Sequence, residues 1–132
     1  LRLGWLYAHP EIVDPISRIR PPFNTTGLSQ AAGIAALGDQ AWIAHCMQLN
    51  KKNLAKFVSD MNDLNIPMIP YTSNFVMAYF ENTQEVYKYL GQKGLIVRPM
   101  GAYNLPSYLR ITIGKQEEMQ ELVEVLKSCP HR

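Results

Sequence analysis

The chain is short of most features that announce a function. Its 132 residues include only two cysteines, Cys46 and Cys129, far apart in sequence. That spacing fits neither a zinc knuckle nor a redox pair, and implies two unpaired thiols in a reducing cytoplasm. The three histidines, His9, His45 and His131, form no i, i+4 pair. No metal site is therefore expected. The formal charge is +2, and the 13 Lys and Arg residues are scattered. Without a basic stripe, nucleic acid is not an expected partner. No apolar run is long enough to cross a bilayer, so no membrane is expected either. None of the serines lies in a G-x-S-x-G elbow, the turn that exposes a nucleophile. Gly101-Ala102-Tyr103-Asn104 lacks the Lys and Ser/Thr of a phosphate-cradling loop.

What remains is the composition of one ordinary globular domain, 47% apolar and 18% charged, without repeats or low-complexity tracts. Leu1 to Ala8 reads as a strand, ended by His9-Pro10 because proline removes a ladder donor. A chain that opens inside a strand, with no marks of a signal peptide, reads as a piece of a longer protein. Glu11 to Arg20 reads as a short helix, with Ile12, Ile16 and Ile19 at helical spacing. Pro21-Pro22-Phe23-Asn24 forces a stiff, extended linker and is the best hinge candidate.

Thr25 to Leu37 is Ala-rich and capped by Thr25 or Thr26. Asp39 opens a long helix to about Leu64, with Ile43, Met47, Leu54, Phe57, Val58, Met61 and Leu64 mostly on one face. Strands are expected at Met68–Tyr71, Ser73–Phe80, Leu95–Arg98 and Leu109–Ile113. Asn82-Thr83-Gln84-Glu85 has the form of a capping box, with Glu85 reaching back to Asn82. Its helix ends at Gly94. Glu117 to Ser128 is the last helix, with Met119, Leu122, Val123 and Leu126 inward. This order implies an α+β fold: a small, mainly antiparallel sheet with helices packed on one face.

The informative anomaly is charge inside apolar strands. Arg110 interrupts Leu109, Ile111 and Ile113, Arg2 lies between Leu1 and Leu3, and Arg98 ends a strand. A guanidinium in such a place is costly unless it meets water, an acid or an anion. It is also the side chain best shaped to grip a carboxylate or phosphate with two parallel hydrogen bonds. The carboxylates Asp39, Asp60, Asp63, Glu117, Glu118, Glu121 and Glu124 read as caps and solvated helix faces. The residues thus offer anion recognition without complete catalytic machinery.

Four segments together resemble a known family. They are Leu1-Arg2-Leu3-Gly4-Trp5, Pro21-Pro22-Phe23-Asn24 followed by Leu28-Ser29-Gln30-Ala31-Ala32, and Ser73-Asn74-Phe75-Val76. The fourth is Gly94-Leu95-Ile96-Val97-Arg98-Pro99-Met100-Gly101, running on to Leu109-Arg110-Ile111-Thr112-Ile113-Gly114. In order and spacing these resemble the C-terminal part of the fold-type I, pyridoxal-phosphate-dependent aminotransferases, with the nearest likeness to the histidinol-phosphate aminotransferase branch. The resemblance covers nearly the whole chain.

What the resemblance implies is specific. Residues 1–20 would be a remnant of the large cofactor-binding domain, 21–26 the hinge linker and 27–132 the small domain. Arg2 would bind the phosphate of pyridoxal phosphate, and Arg110 the α-carboxylate of an amino-acid substrate. Arg98 matches a recurring family position that shapes the loop through Tyr103 or touches substrate. The whole enzyme would be a cytoplasmic homodimer acting on a small amino acid and a 2-oxo acid in histidine biosynthesis. No catalytic residue would lie in this chain, because the family's cofactor lysine stands just upstream of the segment that begins at Leu1. None of the seven lysines (51, 52, 56, 88, 93, 115 and 127) has that context. The separate polypeptide is therefore expected to be inactive, and to self-associate or be disordered over its first ~20 residues, as uncovered apolar segments and strand edges do.

Two departures from the family pattern stand out. Asn104 replaces a common Gly, and Lys115 replaces a capping Thr or Ser, a change worth ~1 kcal/mol at a helix start. Two alternatives share the observations: a threonine-phosphate decarboxylase-like enzyme on the same scaffold, and a non-enzymatic α+β module that binds a small anion.

Overall fold

The computed structural model describes residues 1–69 and 72–132. It divides into two compact units, Leu1–His45 and Cys46–Arg132.

In the first unit, α1 spans Pro10–Ile19 and α2 Gly27–Gly38. His9 accepts a weak hydrogen bond from the Glu11 amide at the start of α1, with Pro10 at the first helical position. Pro is suited to that place because its missing N–H would be unpaired there anyway. Thr26 caps α2 by accepting from the Ser29 amide at 3.1 Å. The apolar side chains of α1 face outward: Ile12, Ile16 and Ile19 are all exposed. The expected strand at Leu1–Ala8 does not form. A strand needs a partner for its ladder, and Arg2 sits at φ 60°, outside strand backbone.

Helix α3, Gln40–Asp63, begins in the first unit and continues into the second. The Asp39 carboxylate accepts from the Trp42 amide at 3.0 Å and caps it, as its position in the sequence implies. The second unit continues with β1 (Phe75–Tyr79), α4 (Thr83–Gln92), β2 (Arg98–Pro99), a 3₁₀ turn (Gly101–Tyr103), β3 (Tyr108–Thr112) and α5 (Gln116–Lys127). The sheet is antiparallel in the order β1-β3-β2. Val76 and Ala78 of β1 and Leu109 and Ile111 of β3 point to one face. They are buried with Phe57 and Met61 of α3, Val86 and Leu90 of α4, and Leu122, Val123 and Leu126 of α5. Period-2 strands meeting period-3.6 helices on one side is the α+β arrangement that the sequence pattern implied.

Four further expectations are corrected. The strand expected at Met68–Tyr71 reduces to a single bridge, Met68 to Ala78, while Pro70 and Tyr71 lie outside the described residues. The strand expected at Leu95–Arg98 contracts to Arg98–Pro99. Leu95 is drawn away because it closes α4 instead: its amide donates to the Leu90 carbonyl at 2.9 Å, beside Gly94 at φ 80°. That pairing is a Schellman closure, and it competes with strand geometry. Glu85 does not reach back to Asn82, whose side chain makes no cap. It pairs with Lys88 at 2.9 Å, and that hydrogen bond lowers its pKa. The helix start is secured by Thr83, whose hydroxyl donates to the Phe80 carbonyl at 2.7 Å.

The fourth correction concerns Lys115. Its side chain caps nothing, but its amide is bound by the Glu118 carboxylate at 2.8 Å. The reaching-back half of a capping box thus offsets part of the missing Thr or Ser.

Candidate functional site

Arg110 lies in the middle of the central strand, on the face opposite the core. The antiparallel register places Met77 of β1 and Arg98 of β2 directly across from it. Residues opposite one another in such a pair project to the same side. The open face therefore carries Phe75, Met77, Tyr79, Arg98, Tyr108, Arg110 and Thr112. Tyr79 and Tyr108 stack edge to face at 5.6 Å and floor one end. The Arg110 guanidinium lies 5.3 Å from the Phe75 ring centroid. That contact covers one side of the cation.

Two arginines opposite each other repel, and an ion pair would be the usual remedy. Among the described residues no arginine has a carboxylate within salt-bridge distance; the carboxylate pairs involve His9, Lys56, Lys88 and Lys127. The Arg110 Nε is buried and has no hydrogen-bond partner among the described residues. An unsatisfied buried N–H of a charged group is expensive. An anion laid against the two guanidinia would relieve the repulsion and offer the charged pair the counter-charge it lacks.

Backbone anchors hold this face in register. Asn53, on α3, donates to the Gly114 carbonyl at 2.9 Å, and Asn50, one turn earlier, to the Ser73 carbonyl at 3.3 Å. The Ile113 amide donates to the Asn74 carbonyl at 2.8 Å. Two side chains of one helix thus pin the same end of β1 and β3. Gly114 is also tightly hemmed in: a Cβ there would collide with the Glu118 carboxylate. Beyond β2, Arg98 donates from Nη2 to the Tyr103 hydroxyl at 3.3 Å, and its guanidinium lies 5.7 Å from that ring. Asn104 follows in the left-handed region at φ 59°, which explains why Gly suits that position and Asn is tolerated.

Arg2 belongs to the first unit and is described there alone. Its neighbours are docked on α2. The buried Ser29 donates from Oγ to the Leu1 carbonyl at 3.0 Å. The Leu3 side chain fills the space that a Cβ on Gly33 would occupy. Between these anchors Arg2 is exposed, at the rim of an open cleft of about 690 Å³ lined by Leu1, Leu3, Trp5, Ala36 and Trp42 among others. An exposed guanidinium without an acid partner on an anchored backbone fits a phosphate. The seven lysines are all exposed and stand on helices or at their ends. Cys46 is exposed, Cys129 is buried, and no group of metal-ligating side chains occurs among the described residues. Among the described residues no helix is long and apolar enough to cross a membrane.

Residue patterns pointed to Arg2 and Arg110 but not to the partners of Arg110. Phe75 was legible only as a strand residue, since its place beside Arg110 depends on register. The Arg98–Arg110 pairing depends equally on where β2 turns back.

Residues 1–126 match the model of the family "aminotransferase class I and II". The chain belongs to this family. It is 40% identical over 128 residues to the histidinol-phosphate aminotransferase of Caldicellulosiruptor saccharolyticus, covering 96% of this chain and 36% of that protein. The chain thus spans about a third of the length of the curated relatives it matches. The fold is shared with the crystal structure of the histidinol-phosphate aminotransferase from Clostridium acetobutylicum, with TM-score 0.77 and 22% identity over 89% of this chain and 37% of that one. It is shared also with the L-threonine-O-3-phosphate decarboxylase from Porphyromonas gingivalis, with TM-score 0.72 and 18% identity over 92% of this chain and 39% of that one. At these identities the structures establish the fold alone.

Proposed function

We propose that this chain supplies the anion-gripping part of a pyridoxal-phosphate-dependent aminotransferase that exchanges an amino group between histidinol phosphate and 2-oxoglutarate. The observation that carries the reading is Arg110: a charged donor, buried at Nε and unpaired, on an otherwise open sheet face. The 40% identity to a histidinol-phosphate aminotransferase supports the substrate pair.

The cofactor, when bound, supplies the electron sink that labilises bonds at the substrate Cα. Arg2 holds its phosphate, as a permanent charge suits a group retained through every cycle. Arg110 grips the α-carboxylate of the amino-acid substrate with two parallel N–H donors. A carboxylate held this way cannot rotate, which fixes the Cα bond that is presented for cleavage. Histidinol phosphate carries a phosphate ester where glutamate carries its α-carboxylate, so the same arginine must accept both anions in turn. The Phe75 ring keeps water from one side of the guanidinium and strengthens its electrostatic pull.

Residues 1–20 associate with a large cofactor-binding domain, 21–26 serve as a linker and 27–132 form the small domain. The Pro21-Pro22 step, between α1 and α2, supports that division. The whole enzyme works in the cytoplasm as a homodimer on small-molecule substrates; the exposed, unpaired Cys46 suits a reducing compartment. The chain by itself is inactive, because none of its exposed lysines stands in the family's cofactor-lysine context.

The test is product analysis with the full-length protein. Histidinol phosphate and 2-oxoglutarate should yield glutamate stoichiometrically. Carbon dioxide release from threonine phosphate without amino transfer would replace this reading by the decarboxylase one, which uses the same fold. Mixing the 132-residue chain with pyridoxal phosphate should give no stoichiometric absorption band from one specific lysine.

A further inference from the structure

The Arg98–Tyr103 contact plays no part in the anion grip of Arg110 and Arg2 proposed above. Arg98 is exposed, faces Arg110 across the β2–β3 register, and has no acid partner among the described residues. An exposed arginine in that setting should swing into solvent, away from its like-charged neighbour. It is instead held twice by one residue: Nη2 donates to the Tyr103 hydroxyl at 3.3 Å, and the guanidinium lies 5.7 Å from the phenol ring. Tyr103 is itself 57% exposed, so burial does not account for its placement. The turn that delivers it is closed by the Tyr103 amide donating to the Met100 carbonyl at 2.9 Å and by Asn104 in the left-handed region.

We propose that Tyr103 is a positioning residue that holds Arg98 as a second cation beside Arg110, and so tunes the pair toward doubly charged anions over monocarboxylates. This rests on the reading of Arg110 as an anion clamp. A planar carboxylate has two acceptor oxygens and one charge, and a single bidentate arginine satisfies it. A phosphate dianion has three terminal oxygens and two charges, so a second guanidinium at fixed distance adds to its binding. Holding Arg98 before the ligand arrives removes the cost of ordering a long side chain at binding. The phenol takes only one of five guanidinium N–H donors and leaves the rest free. Tyr103 touches no ligand in this scheme; it acts through Arg98.

The experiment uses the full 132-residue chain, with inorganic phosphate at pH 8 and acetate as probes. Binding is read from the arginine Nε–Hε resonances, and Arg98 mobility from ¹⁵Nε relaxation. Tyr103→Leu should raise Arg98 mobility and weaken phosphate about two- to fivefold, the range implied by an exposed cation–π contact, while acetate is unchanged. Tyr103→Phe keeps the ring and should restore part of the preference. Equal weakening of both anions, or no change in either with Arg98 equally mobile, overturns the role of Tyr103. Arg110→Gln tests the underlying reading separately. It should abolish specific binding of both anions, and retained binding, or none to the unaltered chain, overturns the clamp itself.

Discussion

Arg98 and Arg110 face each other across the β2–β3 ladder, and among the described residues no carboxylate neutralises either. Folding alone gives no reason for this arrangement. It leaves a buried Nε without a partner and sets like charges side by side on the exposed face of a small sheet. Such a cost, kept at one place, marks where a ligand is expected to restore the balance.

The first prediction follows from that cost. Arg110→Met keeps the length and apolar stem of the side chain while removing the unsatisfied donor and the repulsion. The variant should be as stable as the original chain or more stable, by up to about 1 kcal/mol, although it cannot grip an anion. Urea unfolding of both proteins checks this. A loss of stability would mean that Arg110 has a structural partner.

The Asn53 anchor should matter to the fold directly. Asn53→Leu removes the donor from the Gly114 carbonyl and should cost about 1–2 kcal/mol. Hydrogen exchange should report the loss first at Ile113 and Gly114, where β3 leaves the sheet.

Gly114 and Glu118 should behave as one unit. Gly114→Ala puts a methyl group where the Glu118 carboxylate lies and should expel it from the Lys115 amide. The expected cost is about 1 kcal/mol, the worth of a helix cap. In the background of Glu118→Ala the same substitution should cost much less, and a double-mutant cycle measures the difference.

Leu109 tests the core. It is fully buried between the sheet and its helices. Leu109→Ala should lower stability by about 2–5 kcal/mol through lost burial and a residual cavity, with thermal unfolding as the measurement.

The exposed apolar residues of the first unit should drive association. Trp5 is 82%, Tyr7 92% and Phe23 98% exposed. Light scattering on the 132-residue chain should find species larger than a monomer, and Trp5→Ser with Phe23→Ser should shift them toward the monomer. A monomer at all concentrations contradicts this.

Much of the second unit could be read from residue patterns, and the reason is periodicity. Leu109, Ile111 and Ile113 alternate, and Leu122, Val123 and Leu126 recur at helical spacing, because both sets are buried against the same core. The first unit misled. Leu1 to Ala8 has strand composition, but strand structure requires a neighbour, and here Ser29 and Gly33 of α2 anchor the segment instead. The capping box at Asn82 does not form, because the Glu85 carboxylate is engaged by Lys88 one turn on. Arg2 and Arg110 were visible as charges among apolar neighbours. Their surroundings, Phe75, Met77, Arg98 and Tyr103, come together only through register, which no single segment records.

The central claim is that Arg110 grips the substrate anion. The most direct measurement is kcat/KM of the full-length protein carrying Arg110→Lys, with histidinol phosphate and with glutamate. A lysine keeps the charge but loses the fork. The account predicts a fall of about ten- to a hundredfold with both substrates, the worth of a charge-assisted hydrogen bond. Unchanged kcat/KM with both would contradict it.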